Sequence, residues 1–288
     1  MSSNTNTLFW VITGAVVVLG VFLLVNGTSD NTLNDINSKF EESASSIINY
    51  PILEEYFSHV ENYQTLVIND ESDFTFESST GTIKSYRGDS TTLVIPPTIN
   101  GVTVKKIDKL SLTNVKTLIL PNTITEIKAQ AFYNGTLEKV IFPNSLITIG
   151  GSAFANNKLI EADISKLTNL TTIGAFAFKD NDLSGHLIVP DSVTDFGGGA
   201  YSGNDLESVQ LSKNQYKLDK YSFSSNRNLK YAIFRNPRMY VFNYTNTSDV
   251  VFGLGSDFVI KIPIGTTSWF RQFPNLDNYI LEEVEMDE

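Results

Sequence analysis

The 288-residue chain has no cysteine. That removes disulfides, thiolate nucleophiles and cysteine-ligated zinc together. Histidine is nearly as scarce: His59 and His186 are the only two. A serine triad would need one of them beside a nucleophile, and no G-x-S-x-G is present. Nor is there a G-x-G-x-x-G, a Walker phosphate loop or an H-E-x-x-H. Positive charge is in deficit, with 21 Lys and Arg against 32 Asp and Glu, a formal net charge of −11. A nucleic-acid binder needs clustered Lys and Arg to displace counterions, and no such cluster stands out along the chain. The expectation is no catalytic residue, no cofactor, no metal and no nucleic-acid partner. An acidic surface suits a soluble body outside a cell.

Long apolar runs are also few, and one dominates. "LFWVITGAVVVLGVFLLV", Leu8 to Val25, contains no charge and one polar residue, Thr13. As a helix it would cover roughly 27 Å, close to the hydrocarbon thickness of a bilayer. The expectation is a transmembrane helix or uncleaved signal anchor over 8–25 behind a tail at 1–7. Cleavage near Gly27, giving a secreted protein, is the competing expectation. The first Lys or Arg is Lys39, so loop charge says little about orientation. An uncharged tail inside and the bulk outside gives a single-pass cell-membrane protein with an extracellular body. Residues 26–69 are polar, with Leu33, Ile36, Phe40 and Ile47 at helical intervals, and predict a short, partly helical stalk. It is too short for the heptads of a stable coiled coil, so self-association there is the lesser reading.

The remainder of the chain repeats itself. Indexed on an aromatic residue that mostly follows Ala, Phe132, Phe154, Phe178, Tyr201 and Phe223 are 22, 24, 23 and 22 residues apart. Five residues before each stand Ile127, Ile149, Ile173, Phe196 and Leu218. Each unit opens on an apolar triple at i, i+3 and i+5, as in Leu137-Val140-Phe142 and Leu206-Val209-Leu211. The unit at Leu183 carries one extra residue and continues Leu187-Val189. Pro121, Pro143 and Pro190 end the strands by withholding an amide. "NG", "NN", "DND", "GND" and "SNRN" close the coils as turn formers. One such coil cannot bury both its faces, so copies stack into a continuous core.

This pattern, "lP.sv..Ig..AF" in each unit, resembles the BspA-type leucine-rich repeat, a bacterial surface variant. Asp73 to Asp108 resembles that family's opening unit, and Val259 to Val284 its closing segment. The Leu159 unit departs from it, with Ser165 in place of proline. The resemblance implies cell-surface exposure and, in several members, adhesion to host or matrix proteins. The expected architecture is an α+β repeat solenoid with short parallel strands, preceded by the N-terminal helix and stalk. Its opening unit is 70–114, its repeats of 22–24 residues are 115–235, and its cap is 236–288.

Strand residues facing away from the core form two columns. One runs Thr117, Lys139, Glu161, His186, Ser208, Tyr231. The other runs Val94, Ile119, Ile141, Asp163, Ile188, Gln210, Ile233. Five of the seven in the second column are β-branched aliphatics, read either as a partly apolar binding strip or as ladders that stabilise the sheet. Lys139, Ile141, Glu161, Asp163, His186, Ile188, Ser208, Gln210, Tyr231 and Ile233 are the candidate partner-binding residues. Arg87-Gly88-Asp89 is read as a hairpin turn rather than a receptor motif. Asp180 to Asp182 is read as a coil-closing turn rather than a calcium loop. The expected function is adhesin-like recognition of a protein or glycan. The alternative is a structural surface component that assembles through its N-terminal helix and has no ligand of its own.

Overall fold

The structure, a computed structural model, describes residues 7–13, 16–22, 68–241, 252 and 257–286. The chain divides into two units, Met1–Val67 and Ile68–Glu288. In the first, Thr7–Thr13 and Val16–Phe22 are antiparallel strands, with Thr7 opposite Phe22 and Thr13 opposite Val16. This corrects the expected transmembrane helix over Leu8 to Val25. Among the described residues no helix is long and apolar enough to cross a membrane. Mean hydropathy does not separate helix from strand. Val11, Ile12, Thr13, Val16, Val17 and Val18 are β-branched and favour the extended form. The expected stalk lies outside the described residues except for its last two positions, and His59 lies outside them too.

The second unit is a β-solenoid of about eight turns, with two walls. The strand-face wall begins with Thr92–Val94, Thr117–Ile119 and Lys139–Ile141, all parallel. It resumes as Ser184–Ile188, Asp205–Gln210, Tyr231–Ile233, Val259–Pro263 and Ile280–Val284. The return wall stacks two-residue strands at Lys106–Ile107, Glu126–Ile127, Thr148–Ile149, Thr172–Ile173 and Asp195–Phe196. An antiparallel hairpin, Phe74–Glu77 with Thr82–Tyr86, closes its first edge.

The α component of the expected α+β class is almost absent. Among the described residues the one α-helix is Thr267–Phe270, four residues long. The reason lies in the corners. Two residues before each interior aromatic, Gln130, Ser152, Phe176, Gly199 and Tyr221 have φ between 53° and 66°. Two residues after it, Asn134, Asn156, Asp180, Gly203 and Ser225 have φ between 52° and 70°. A left-handed residue on each side leaves no room for a helical turn. Arg87-Gly88-Asp89 is also not a hairpin turn. The strands it joins, Thr82–Tyr86 and Thr92–Val94, belong to opposite walls.

Two features run the length of the stack. The interior aromatics stack face to face, with ring centres 5.1 Å apart for Phe132 and Phe154, 5.3 Å for Phe154 and Phe178, and 4.8 Å for Phe178 and Tyr201. Three residues after each aromatic stands a buried asparagine: Asn157, Asn181, Asn204 or Asn226. Asn204 donates from Nδ2 to the Phe178 and Tyr201 carbonyls at 2.9 and 3.1 Å, and its Oδ1 accepts the Leu183 N–H at 3.1 Å. Asn157, Asn181 and Asn226 repeat this arrangement. Each thus satisfies backbone groups that the turn would otherwise bury unpaired. The first coil has Gly135 at this position, and a Cβ there would lie 2.4 Å from Asn157 Oδ1.

Each wall is interrupted once. The return wall breaks between Asp195–Phe196 and Lys217–Leu218, which pairs instead with Tyr240–Val241. The strand face breaks at the Leu159 unit, where a single bridge, Lys139 to Glu161, replaces a strand. Ser165 stands there for the proline, and beyond the break the pairing of Ser184–Ile188 with Asp205–Gln210 shifts register between Gly185 and His186, passing over Glu207, while Gly185 has φ +74°. The aromatic stack and the asparagines cross both interruptions.

Candidate functional site

The strand face carries the two predicted columns, in the register that parallel pairing imposes. Lys139 lies opposite Thr117, and Ile141 opposite Ile119. Beyond the break, His186 lies opposite Ser208, and Ser208 opposite Tyr231. Ile188 lies opposite Gln210, and Gln210 opposite Ile233. The columns continue where no repeat pattern announced them, through Val259 and Lys261 to Ile280 and Glu282.

The apolar strip is shorter than the sequence suggests. Val94 and Ile119 are fully buried, at 0% exposure, so the solvent-facing members are Ile141, Ile188 and Ile233. Asp163 and Gln210 separate them. Ile188, at 44% exposure, is the most open of the three. Val94 is fixed from the N-terminal side, where Asn69 Oδ1 accepts its N–H at 2.8 Å.

Polar side chains on this face pair along the stack. Lys139 bridges to Glu161 across the last bonded coil before the break. His186 Nδ1 and Ser208 Oγ are 2.7 Å apart. Ser208 is buried, and among the described residues no carboxylate hydrogen-bonds the imidazole, so the pair lacks the third member of a triad. Beside it, Lys230 Nζ donates to Glu207 Oε2 at 2.7 Å. That hydrogen bond and the ammonium charge hold the Glu207 carboxyl below its ordinary range and raise Lys230 above its own. Among the described residues no group of three or more His, Asp or Glu is placed to hold a metal ion.

At the C-terminal end of the face a cavity of about 300 Å³ opens between the strands. Gln210, Ile233, Arg235, Lys261, Val284, Glu285 and Met286 line it. Gln210 and Ile233 belong to the predicted columns. The other five went unrecognised, because they follow a triple or sit in the C-terminal segment, where the 22-residue period has lapsed. The usable signal was "VIKIP", which alternates like the repeat strands. Arg235 is half-buried, its side chain 15% exposed, and Nη1 donates to Asp191 Oδ1 at 2.7 Å. Lys261 Nζ lies 4.8 Å from the centre of the Tyr231 ring. The cavity thus combines two cations, an amide, an aromatic face and an apolar wall.

Residues 108–230 match six copies of the BspA type leucine rich repeat region. No curated protein matches the chain. Among solved structures, the chain is similar to a leucine-rich repeat protein of Bacteroides ovatus at 22% identity and a TM-score of 0.49. That alignment covers 69% of this chain and 60% of the other. It is similar to the T. pallidum leucine rich repeat protein at 18% identity and a TM-score of 0.40, over 76% of this chain and all of that one. A leucine rich cell surface protein of Faecalibacterium prausnitzii aligns at 14% identity and a TM-score of 0.29, covering 78% and 96%.

Proposed function

Residues 108–230 of this chain form a BspA-type leucine-rich repeat region, and from that premise we propose that the protein recognises a protein or glycan outside a bacterial cell through its strand face. The observation that carries the reading is the state of that face. Its backbone is bonded into ladders, while His186 and Ile188 are exposed and Lys139, Ile141, Gln210, Tyr231 and Ile233 are half-exposed. A rigid surface of mixed charge, amide, aromatic and aliphatic groups suits recognition, because little side-chain and backbone ordering remains to be lost on binding. The alternative, assembly through an N-terminal helix, loses its element, since Thr7–Thr13 and Val16–Phe22 are strands.

The test is binding of the full chain to a panel of matrix proteins and glycans, beside a variant carrying Ile141→Lys and Ile188→Lys. Saturable binding that weakens at least about tenfold in the variant, with its unfolding transition unchanged, is the expected result. Equal binding by the two proteins would move recognition off this face.

A further inference from the structure

Around its interior aromatic, each coil makes a tight turn whose fourth N–H bonds the first carbonyl. The pairs are Tyr133 to Gln130, Ala155 to Ser152, Lys179 to Phe176, Ser202 to Gly199 and Ser224 to Tyr221. The first or fourth position of this turn holds an aromatic ring in alternate coils: Tyr133, Phe176 and Tyr221. In the coils between, the same two positions hold Ser152 with Ala155 and Gly199 with Ser202. We infer that this column of turns is a second binding surface, a rail of aromatic rings for an extended, uncharged, β-linked glycan. The rail uses none of the strand-face residues, so the inference goes beyond the function proposed above.

Regular spacing is the first argument. The turns are bonded coil to coil without a gap. Phe132 N–H reaches Ala153 O at 2.7 Å, Phe154 reaches Ala177 O at 2.8 Å, Phe178 reaches Ala200 O at 2.8 Å, and Tyr201 reaches Ser222 O at 3.0 Å. The interruptions of the two walls do not extend to this ladder. Rings on alternate coils therefore recur at about 10 Å, twice the spacing of bonded strands. An extended β-linked pyranose chain repeats every two sugar units at close to that length, so each ring meets every second sugar. A folded protein partner has no such repeat.

The rings are also placed at a conformational cost. Phe176 and Tyr221 both have φ 58°, a region that bulky residues seldom occupy. Gln130, Ser152 and Gly199 at the equivalent position show that the turn itself needs no ring there. The neighbouring coil makes room for one of them: a Cβ at Gly199 would lie 2.4 Å from Cδ1 and Cε1 of Phe176. The Phe176 ring thus lies against the backbone of the next coil, yet the residue stays 40% exposed, and Tyr133 stays 37% exposed. The core is already filled by Phe132, Phe178 and Phe223. Strained backbone under an exposed ring points to a binding role.

The chemistry around the rings fits a neutral sugar. An aromatic ring offers flat apolar area to the C–H face of a pyranose at little entropic cost. Between Tyr133 and Phe176, Asn134 is exposed and Ser152 and Asn156 are half-exposed, so amide and hydroxyl groups stand where sugar hydroxyls would lie. Asn156 Nδ2 donates to Asn134 Oδ1 at 2.7 Å and to Tyr133 Oη at 3.3 Å, which fixes that part of the surface in place. Cations beside the turns are paired, Lys128 with Asp108, Lys179 with Asp180 and Lys217 with Asp219. No block of one sign selects a charged ligand.

The experiment titrates the full chain calorimetrically with cellohexaose, mannohexaose and chitohexaose, with their disaccharides, and with maltohexaose as the helical, α-linked control. Expected is saturable binding of a β-linked hexaose, at least about tenfold tighter than its disaccharide and than maltohexaose, because only an extended chain spans two rings. Tyr133→Ala and Phe176→Gly are each expected to weaken that binding at least about tenfold, and Phe176→Tyr to retain it. Phe176→Gly is also expected to leave the unfolding midpoint level or raised, since glycine suits φ 58°. Failure of all three β-linked hexaoses to bind, or hexaose bound no tighter than disaccharide, overturns the rail. So does binding that survives both Tyr133→Ala and Phe176→Gly. Maltohexaose bound as tightly as the β-linked chains overturns the assignment to an extended glycan. A midpoint lowered by Phe176→Gly, with hexaose binding unchanged in Tyr133→Ala, would assign the rings to stability and refute the inference.

Discussion

Tyr201 occupies the same interior position as Phe132, Phe154, Phe178 and Phe223, and its ring stacks on Phe178 and Phe223 as theirs do on their neighbours. Its hydroxyl is the difference. Oη is fully buried and has no hydrogen-bond partner among the described residues, and burial pushes the phenol far above its ordinary pKa. An unpaired buried hydroxyl forfeits its bonds to water without replacement. Tyr201→Phe keeps the ring and removes that cost. It is expected to raise the unfolding free energy by about 1 kcal/mol, read from the denaturant midpoint at constant slope. A lower midpoint would mean that the hydroxyl has a partner that stabilises the fold. The aromatic spacing was plain in the sequence. The orphaned hydroxyl was not, because Tyr and Phe satisfy the same pattern and differ only in what surrounds one atom. Asn157, Asn181, Asn204 and Asn226 were misjudged in a similar way. They look like ordinary turn formers, and only their constant offset from the aromatic hints that their amides point inward.

At the scale of elements, the two departures from the repeat turn out to be one event. Ser165 for proline and the extra residue of the Leu183 unit flank the place where the strand-face ladder stops. In bonded coils the N–H of the third strand-face core residue reaches the next coil, as Leu120 does to Ile141 O at 3.2 Å and Val189 to Gln210 O at 2.9 Å. Among the described residues Ile164, the equivalent residue at the break, makes no such bond. Amide hydrogen exchange is therefore expected to be fast at Ala162, Asp163 and Ile164, while Leu118 to Leu120 and Val209 to Leu211 stay protected. Equal protection on both sides would show that the ladder is continuous in solution. The repeat, the strand ends and both outward columns were legible because period and alternation report directly on stacking. Two elements were not. The apolar N-terminal run fits helix and strand equally by hydropathy alone. The C-terminal strands Val259–Pro263 and Ile280–Val284 lie where the period lapses, and with them went most of the cavity.

For the molecule as a whole, carboxylates along the stack pair with lysines one coil away. Lys84 hydrogen-bonds Asp108 at 3.0 Å, Lys106 meets Glu126 at 2.7 Å and Lys116 meets Glu138 at 2.9 Å. Hydrogen bonds from Lys84, Lys230 and the Gly265–Thr267 turn hold the carboxyls of Asp108, Glu207 and Glu283 below their ordinary values. A carboxyl whose pKa is lower in the folded chain than in the unfolded one favours folding above the unfolded value. It loses that contribution as pH falls through the folded value. Unfolded Asp and Glu titrate near about 4, so none of this stabilisation changes between neutrality and about pH 5. Each pair is solvent-exposed and individually weak. Below about pH 4 they fail together, and the formal charge of −11 gives way to the 21 unopposed Lys and Arg, aided by two histidines. Because each coil is held by its neighbours, repulsion introduced along the stack is felt cooperatively. The thermal midpoint is expected to be level from about pH 8 to 5 and to fall steeply below about pH 4, with added salt softening the fall by screening. A midpoint that already drops between pH 7 and 5 would contradict this, since these carboxyls do not titrate in that window.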